Sequence, residues 1–521
     1  MASPKRPKNL SPAKPAQAFA PKRSPYSPKN AELSPAKSGP MEKAGTRTGK
    51  SVASPEPRLE SRPAPRPGQR TATPASMKPA HQQFRPGREE VARRSIAEAT
   101  PQKVKLPVPC AMVLRRASES LRNGHLWVYA SDVEQVEAGT GDAPTLIPVV
   151  DNRGIPLGTA LYSPASQISL RLVSRELISP AQWLELLANR LRAAITQRRP
   201  MLDANTDSCR LVFSEADELP GIIIDKYASI VVLQLLAKGL DTPETREVCV
   251  QVLSEELGQQ PLTIWERPDP RIRELEGLSA PTTTPLFTNA KTGKNKSVPV
   301  ASTLFRLNSL SLHFDATSGQ KTGAFLDQRQ NYAAAVGWAK RYGTKKALDV
   351  CTYQGGFALH LAEVCDHVVG VDTSRASLEV AELNLKVNRQ KLSAEVDWVE
   401  ADAFELLRAW SESKDHTDWD LIVLDPPAFA KSKRAVEGAL RGYKELNLRA
   451  LRMIKAGGLL ITCSCSHHVS WKDLEGAVSA AAIDAHRRVT LIERHGAAQD
   501  HPVILTLPET EYLKCLICRV D

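Results

Sequence analysis

Apolar and polar positions first fall into a regular pattern near Val104. Short apolar runs at 111–114, 127–129, 145–150, 158–162 and 168–173 read as strands, separated by turn residues such as Gly139-Thr140-Gly141-Asp142 and Asp151-Asn152-Arg153-Gly154. Strands this short and evenly spaced predict a small β-barrel over 104–176. A helix rich in Leu, Ala and Arg is expected over 180–198. Strands at 209–213, 221–225 and 230–236, a helix over 243–257 and a strand at 262–265 follow. These form a small α+β unit over 177–300, with an irregular Thr- and Pro-rich connection at 281–285. From about Gly323 strands and helices alternate, with strands at 347–350, 367–371, 394–399, 421–424, 459–463, 489–493 and 512–519. Alternation of this kind predicts βαβ units in a doubly wound, mostly parallel α/β sheet over 301–521, its last two strands the closest to a hairpin.

Residues 1–103 lack that pattern. Ser-Pro recurs at Ser3, Ser11, Ser24, Ser27, Ser34 and Ser54, and 17 of the 38 prolines fall in the first hundred residues. Too little apolar surface is present to offset the ordering entropy, so a disordered basic tail is expected. It reads either as an arm for a polyanion such as RNA or as a solvated tail. The first hundred residues hold 20 Lys and Arg against 7 Asp and Glu, while the remaining 421 hold 49 against 51. The basic character therefore belongs to the tail. Nine cysteines without regular spacing do not form a disulfide framework, and reduced thiols point to a cytoplasmic protein. No apolar run approaches the roughly 18 residues of a membrane span, and the basic start has no apolar stretch behind it, so neither membrane nor secretion is expected.

Three constellations carry chemistry. In the first, Asp349-Val350-Cys351-Thr352-Tyr353-Gln354-Gly355-Gly356-Phe357 ends a strand and opens a helix, with glycines that let backbone approach a ligand. Asp372 ends the next strand, where a carboxylate can accept both ribose hydroxyls of a nucleoside cofactor, and Asp402 at the third can take an adenine amino group. NAD and S-adenosylmethionine compete for such a site; an Asp-Pro-Pro turn on the fourth strand favours S-adenosylmethionine. In the second, Asp425, Pro426, Pro427 and Phe429 form a stiff turn with free carbonyls and an aromatic face, suited to a planar nitrogenous ring.

Third, Cys463 and Cys465 end the following strand. Carbon 5 of a pyrimidine becomes nucleophilic when a thiolate adds at carbon 6, so a cysteine here is suited to methylation at carbon. Two residues apart, both are expected on one side of the strand, with Cys465 nearer the crevice. The alternative is a pair of buried small hydrophobes. Cys515 and Cys518, three apart in a strand-like run, read as core residues rather than a redox pair. His467 and His468 are adjacent, and no metal is expected.

These residues resemble a family, the bacterial 23S rRNA cytosine-5 methyltransferases that carry an N-terminal PUA domain. The resemblance runs from about Cys110 to the end, roughly four-fifths of the chain. It rests on Gly124-His125-Leu126-Trp127-Val128-Tyr129, Tyr162-Ser163-Pro164-Ala165-Ser166-Gln167-Ile168 and Leu219-Pro220-Gly221-Ile222. In the last domain it rests on Lys321-Thr322-Gly323, Leu326-Asp327-Gln328-Arg329, the Asp-Pro-Pro turn, Arg441-Gly442-Tyr443-Lys444 and Ser464-Cys465-Ser466. It implies a PUA barrel, a central α+β domain and a class I methyltransferase domain, S-adenosylmethionine as cofactor, and a cytosine of 23S rRNA or of a large-subunit precursor as target. Cys465 falls on the family's nucleophile, with Cys463 as second choice because Thr462-Cys463-Ser464 is similar to a motif of other RNA cytosine methyltransferases. Gln328 and Arg329 are expected at the cofactor, and Lys321 at cofactor or substrate phosphate. Two rivals stay open: an rRNA purine-nitrogen methyltransferase that needs no nucleophile, and a non-catalytic RNA-binding assembly factor.

Overall fold

Three layers of strands follow one another along the protein, whose structure is a computed structural model. It describes residues 109–521 except 138–144, 280–282, 293–295, 319–322 and 417. The basic tail, the turn at Gly139-Thr140-Gly141-Asp142 and Lys321 therefore lie outside the described residues.

The first sheet contains β1 (Cys110–Val113), β2 (Trp127–Tyr129), β3 (Val133–Glu137), β4 (Leu146–Val150), β5 (Pro156–Tyr162) and β6 (Ile168–Ser174), in the order β2-β6-β5-β4-β1-β3. All its pairs are antiparallel except β1 with β4. Alternate residues such as Ala111, Val113, Ile147, Val149, Leu170 and Leu172 close over helix α1 (Arg115–Arg122) through Ala117 and Leu121. The sequence pattern did not predict β3. It is an edge strand, Val-Glu-Gln-Val-Glu, with half of its pairing sites and much of its surface given to water.

The second sheet is flanked by α2 (Pro180–Arg198) and α3 (Pro243–Leu257), both capped by a hydroxyl, Ser179 and Thr242, ahead of a proline at the first helical position. Its strands are β7 (Ser208–Phe213), β8 (Ile222–Tyr227), β9 (Ile230–Leu235), β10 (Thr263–Glu266) and β11 (Thr284–Thr288), in the order β11-β10-β9-β8-β7, with the short α4 (Pro270–Leu275) before β11. The connection expected to be irregular thus contains a strand. Pro285 is tolerated because β11 lies at the edge, and the register shifts where Pro285 meets Trp265.

A two-residue pairing, β12 (Lys291–Thr292) with β13 (Lys296–Ser297), leads to the hairpin β14 (Ser302–Leu307) and β15 (Leu310–Asp315). Asn308 and Ser309 turn it with φ of 49° and 74°, the paired left-handed geometry that matches strand twist. The hairpin's apolar face joins two sheets. Tyr227 stacks on Phe314 at 3.9 Å and meets Phe305 edge-on at 5.2 Å. The same core contains Trp265 from the second sheet and Ala347, Leu421 and Ile461 from the third. Hydrophobic packing therefore runs unbroken through residue 300.

The third sheet holds β16 (Lys346–Val350), β17 (His367–Asp372), β18 (Glu395–Glu400), β19 (Trp419–Leu424), β20 (Ile454–Ser464), β21 (Val489–His495) and β22 (Lys514–Val520). Its order is β18-β17-β16-β19-β20-β22-β21, with β22 antiparallel to both neighbours. Helices α5 (Arg329–Tyr342), α6 (Gly356–Leu361), α7 (Arg375–Asn388), α8 (Ala403–Glu412), α9 (Val436–Met453) and α10 (Trp471–Asp484) complete the layers. Cys515 packs in the core on one face and Cys518 in that on the other, as strand alternation requires. Among the described residues no helix is long and apolar enough to cross a membrane.

Because Phe305 is fully buried where two sheets share one core, Phe305→Ala is expected to destabilise the protein by about 3–5 kcal/mol in denaturant unfolding. Tryptophan fluorescence and circular dichroism should shift together.

Candidate active site at the strand ends

Parallel pairing brings three strand ends level. Val350 of β16 lies beside Leu424 of β19, which lies beside Thr462 of β20. The chain order reverses between β16 and β19, and in sheets of this kind the ligand crevice opens at that point.

The loop after β16 is the first wall. Cys351, Tyr353 and Gly355 have φ of 65°, 52° and 86°, a conformation that must be held in place at the two non-glycine positions. Asp349 holds it from below, accepting from Thr352 Oγ1 at 2.5 Å and Ala358 N at 2.9 Å. Asp372 holds it from the side, accepting Tyr353 N at 2.9 Å and Ser374 N at 2.8 Å, one on each oxygen. Tyr353 in turn donates its hydroxyl to Gly323 O at 3.1 Å. The glycines answer mainly to packing: a Cβ on Gly356 would meet Tyr332 Oη at 2.4 Å, and one on Gly355 would meet Trp398 at 2.9 Å. Phe357, expected at the cofactor, is instead a core residue, its ring edge-on to Tyr332 at 4.7 Å.

Four carboxylates converge on this edge. Asp349 is fully buried, and burial pushes its pKa up to about 7 against the bonds from Thr352 and Ala358; its Oδ1 has no partner. Asp372 is half-buried. Asp402 is exposed and caps α8 by accepting Phe404 N and Glu405 N. Asp425 accepts from Gln328 Nε2 at 2.9 Å. Cys351 marks their common focus: burial first, then the charges of Asp372, Asp425, Asp349 and Asp402, push its thiol pKa up. Such a set suits a ligand with hydroxyls, amines and a positive centre, which is the donor pattern of S-adenosylmethionine.

Gln328 and Arg329 part company, since consecutive residues at a helix start point about 100° apart. Gln328 reaches Asp425 and accepts from Asn331 Nδ2 at 2.5 Å. Arg329 was expected at the cofactor, but it is buried against Asp500, Nη2 to Oδ1 at 3.8 Å. Asp500 also accepts Arg210 N of the second sheet at 2.9 Å. Arg329 thus belongs to the seam between sheets.

The two cysteines separate as well. Strand β20 ends at Ser464, so the alternation expected to put both thiols on one side stops short of Cys465. Cys463 is fully buried beside Cys515, and hydrogen bonding to it, together with burial, pushes its pKa well up. Cys465 is half-buried, its Sγ 3.8 Å from Pro426 O of the Asp-Pro-Pro turn. The flanking serines hold it there. Ser464 Oγ donates to Tyr443 Oη at 2.8 Å, Ser466 Oγ lies 3.1 Å from the same oxygen, and Ser466 Oγ accepts Ala430 N at 3.2 Å. Sequence reasoning gave Tyr443 no role, although the spaced Arg441-Gly442-Tyr443-Lys444 and Ser464-Cys465-Ser466 segments signalled it. Pro427 is exposed, Pro426 buried, and Phe429 packs half-buried between Tyr443 at 4.9 Å and Phe404 at 5.9 Å. Among the described residues no cluster is arranged to hold a metal ion.

Comparison with known proteins agrees with this geometry. Residues 112–175 match the model of a PUA-like domain, and residues 297–502 that of an S-adenosylmethionine-dependent methyltransferase. The chain is 34% identical to the ribosomal RNA large subunit methyltransferase I of Photobacterium profundum over 413 residues, spanning 78% of this chain and 98% of that one. It is 36% identical to the protein of the same name in Escherichia coli O9:H4 over 416 residues, 78% of this chain and 99% of that one. A methyltransferase structure from Streptococcus mutans shares the fold at a TM-score of 0.64 and 19% identity, across 78% of this chain and 99% of its own. A second methyltransferase structure, solved with S-adenosylhomocysteine, matches at 0.64 and 18%, with the same coverage. The chain belongs to the ribosomal RNA large subunit methyltransferase I family, and it is an S-adenosylmethionine-dependent methyltransferase.

Proposed function

We propose that the protein methylates carbon 5 of a cytosine in large-subunit (23S) ribosomal RNA, in the cytoplasm, with Cys465 as nucleophile. The relatives' names supply the RNA. The observation that carries the nucleophile is the contrast between two thiols: Cys465 stands half-buried at the Asp-Pro-Pro turn, while Cys463 is sealed against Cys515. In this reading the 104–176 sheet and the 177–300 unit grip RNA by shape and phosphate contacts, and the 301–521 domain receives a cytosine turned out of its stack.

Bound S-adenosylmethionine supplies a methyl group on positively charged sulfur, held by Asp372, Asp402, Tyr353 and the loop that Asp349, Gly355 and Gly356 shape. Cys465 adds to carbon 6, forming an S–C6 bond and sending the C5=C6 pair towards carbon 5 and N3. Asp425, oriented by Gln328, receives the ring's N3/N4 edge and steadies the charge and proton gathered there. Pro426 and Pro427 keep the turn stiff beneath the ring, and Phe429 backs it. Once carbon 5 carries its methyl, its proton goes to a base through water, the C5=C6 bond re-forms, and Cys465 leaves as thiolate. Lys321 is assigned to the substrate backbone.

With labelled S-adenosylmethionine and host large-subunit rRNA, wild type is expected to put label into 5-methylcytidine, and Cys465→Ala to lose at least about 10³-fold in rate. Cys463→Ser should remain within about tenfold of wild type, since it removes only a packed thiol. Label in a purine, or equal rates from Cys465→Ala and wild type, would leave the nitrogen methyltransferase standing. Gln328→Leu should cost roughly tenfold in kcat, the worth of one hydrogen bond to a reacting carboxylate.

Asp349 adds a pH signature. Its folded pKa of about 7 exceeds the ordinary value of 3.8, so the folded protein holds a proton between those limits that the unfolded chain has released. Its contribution to stability is full below pH about 4 and is lost as pH rises through 7. Asp349→Asn keeps the acceptor for Thr352 and Ala358, and its melting temperature should fall less than that of wild type across that window.

A further inference from the structure

The segment between β21 and β22, residues 496–513, is bonded to both the cysteine segment and the first domain. His467, two residues after Cys465, donates Nδ1–H to Glu509 O at 3.2 Å, and its ring lies 5.5 Å from that of Tyr512. Where the segment enters β22, Lys514 Nζ donates to Ser466 O at 3.0 Å. Just ahead of β2, Gly124 O accepts from Thr506 Oγ1 at 3.1 Å, and His125 Nε2 stands 3.7 Å from Glu509 Oε2. Tyr129, exposed at the end of β2, faces the same segment: burial and then the Glu509 charge push its pKa up.

Midway along this segment the chain turns sharply. Leu507 N donates to Ile504 O at 3.0 Å, while Thr510 Oγ1 donates to Leu507 O at 2.8 Å and accepts Ile504 N at 2.9 Å. Leu507 and Thr510 are buried, so the turn is fixed from below. Leu505 stands at its tip and is 92% exposed, more than any other large apolar side chain among the described residues; Val503 beside it is also exposed. Single apolar surface residues are ordinary. A leucine at the tip of a tight turn is not, because Gly, Pro, Asn, Asp and Ser dominate there, and this turn is too well bonded to fold the side chain inward.

We propose that Leu505 is a wedge that enters the RNA base stack and fills the gap left when the target base turns into the crevice. The proposal rests on the reading of the crevice as the receiver of a base turned out of its stack. Unstacking is costly, and an apolar side chain inserted at the vacated step restores contact to the neighbouring bases. Such a side chain has to be apolar, held out rigidly and tied to the place where the base is received. Leu505 is set on a bonded turn, and the bonds at Glu509 and Lys514 tie its segment to the two residues that follow Cys465. RNA is favoured over a protein surface as the occupant, since one apolar tip is far smaller than a stable protein interface but matches a single base step.

The full chain carrying the photocross-linker p-benzoylphenylalanine in place of Leu505 can be irradiated on large-subunit rRNA from host cells lacking this protein. Wild type and labelled S-adenosylmethionine mark the methylated nucleotide on the same RNA. The cross-link is expected on a nucleotide adjacent to the methylated one; a cross-link elsewhere, or none, overturns the proposal. Leu505→Ser should lose about ten- to hundredfold in kcat/KM for the RNA, with melting temperature and S-adenosylmethionine affinity as in wild type, and Leu505→Met should regain most of the rate. A Leu505→Ser variant as active as wild type also overturns the proposal. Wild-type labelling is read first: if no base of this RNA is methylated, the reading of the crevice has failed and the wedge falls with it, an outcome distinct from a misplaced cross-link on methylated RNA.

Discussion

The in-register parallel pairing of β16, β19 and β20 is the constraint on which the site depends. Because Val350, Leu424 and Thr462 lie level, the segments that leave these strands, the loop at Cys351, the turn at Asp425 and the cysteine segment, emerge together at one edge. A shift by one residue would turn Asp349 and Cys463 out of the core and bury the wrong partners, and the apolar packing on both sheet faces resists that slip. The positions of the chemical groups are thus by-products of hydrophobic register.

Hydrogen bonds then refine what register sets coarsely. Tyr443, reaching in from α9, meets both serines beside Cys465, and Ser466 also takes Ala430 N from beyond the Asp-Pro-Pro turn. Two strand ends and one helix are tied through three hydroxyls, so the thiol and the turn keep a defined separation. Gln328 does the same for Asp425 from a short helical turn outside the sheet. Buried hydroxyls and amides with satisfied partners are costly to rearrange, which is how a crevice between strands stays rigid.

The second sheet contributes more than a spacer. Its apolar face shares a core with the hairpin β14–β15 and with the third sheet, and Asp500 joins Arg210 on one side to Arg329 on the other. Burial alone would raise the Asp500 pKa, but hydrogen bonds from His501 and Arg210 N and the neighbouring charge of Arg329 outweigh it and hold the carboxyl at about 2, so the seam stays charged throughout the neutral range. The large-subunit methyltransferase relatives align with 78% of this chain over nearly their whole length.

Much of the design was legible in sequence, because strand alternation, capping residues and strand-end acids are local signals. The alternation from Ala347 onward, the split of Cys515 from Cys518, and the acids Asp349, Asp372, Asp402 and Asp425 at strand ends all follow from spacing alone. Edge strands such as β3 and β11 did not, since half-exposed strands need few apolar residues and tolerate Pro285. Tertiary structure alone decided which neighbours meet: that Arg329 turns to Asp500 while Gln328 turns to Asp425, that Phe357 is core, and that Cys463 is sealed while Cys465 stands at the crevice. Those outcomes depend on where a strand or helix ends and what packs across it, and such contacts join residues tens to hundreds of positions apart, beyond the reach of any local pattern.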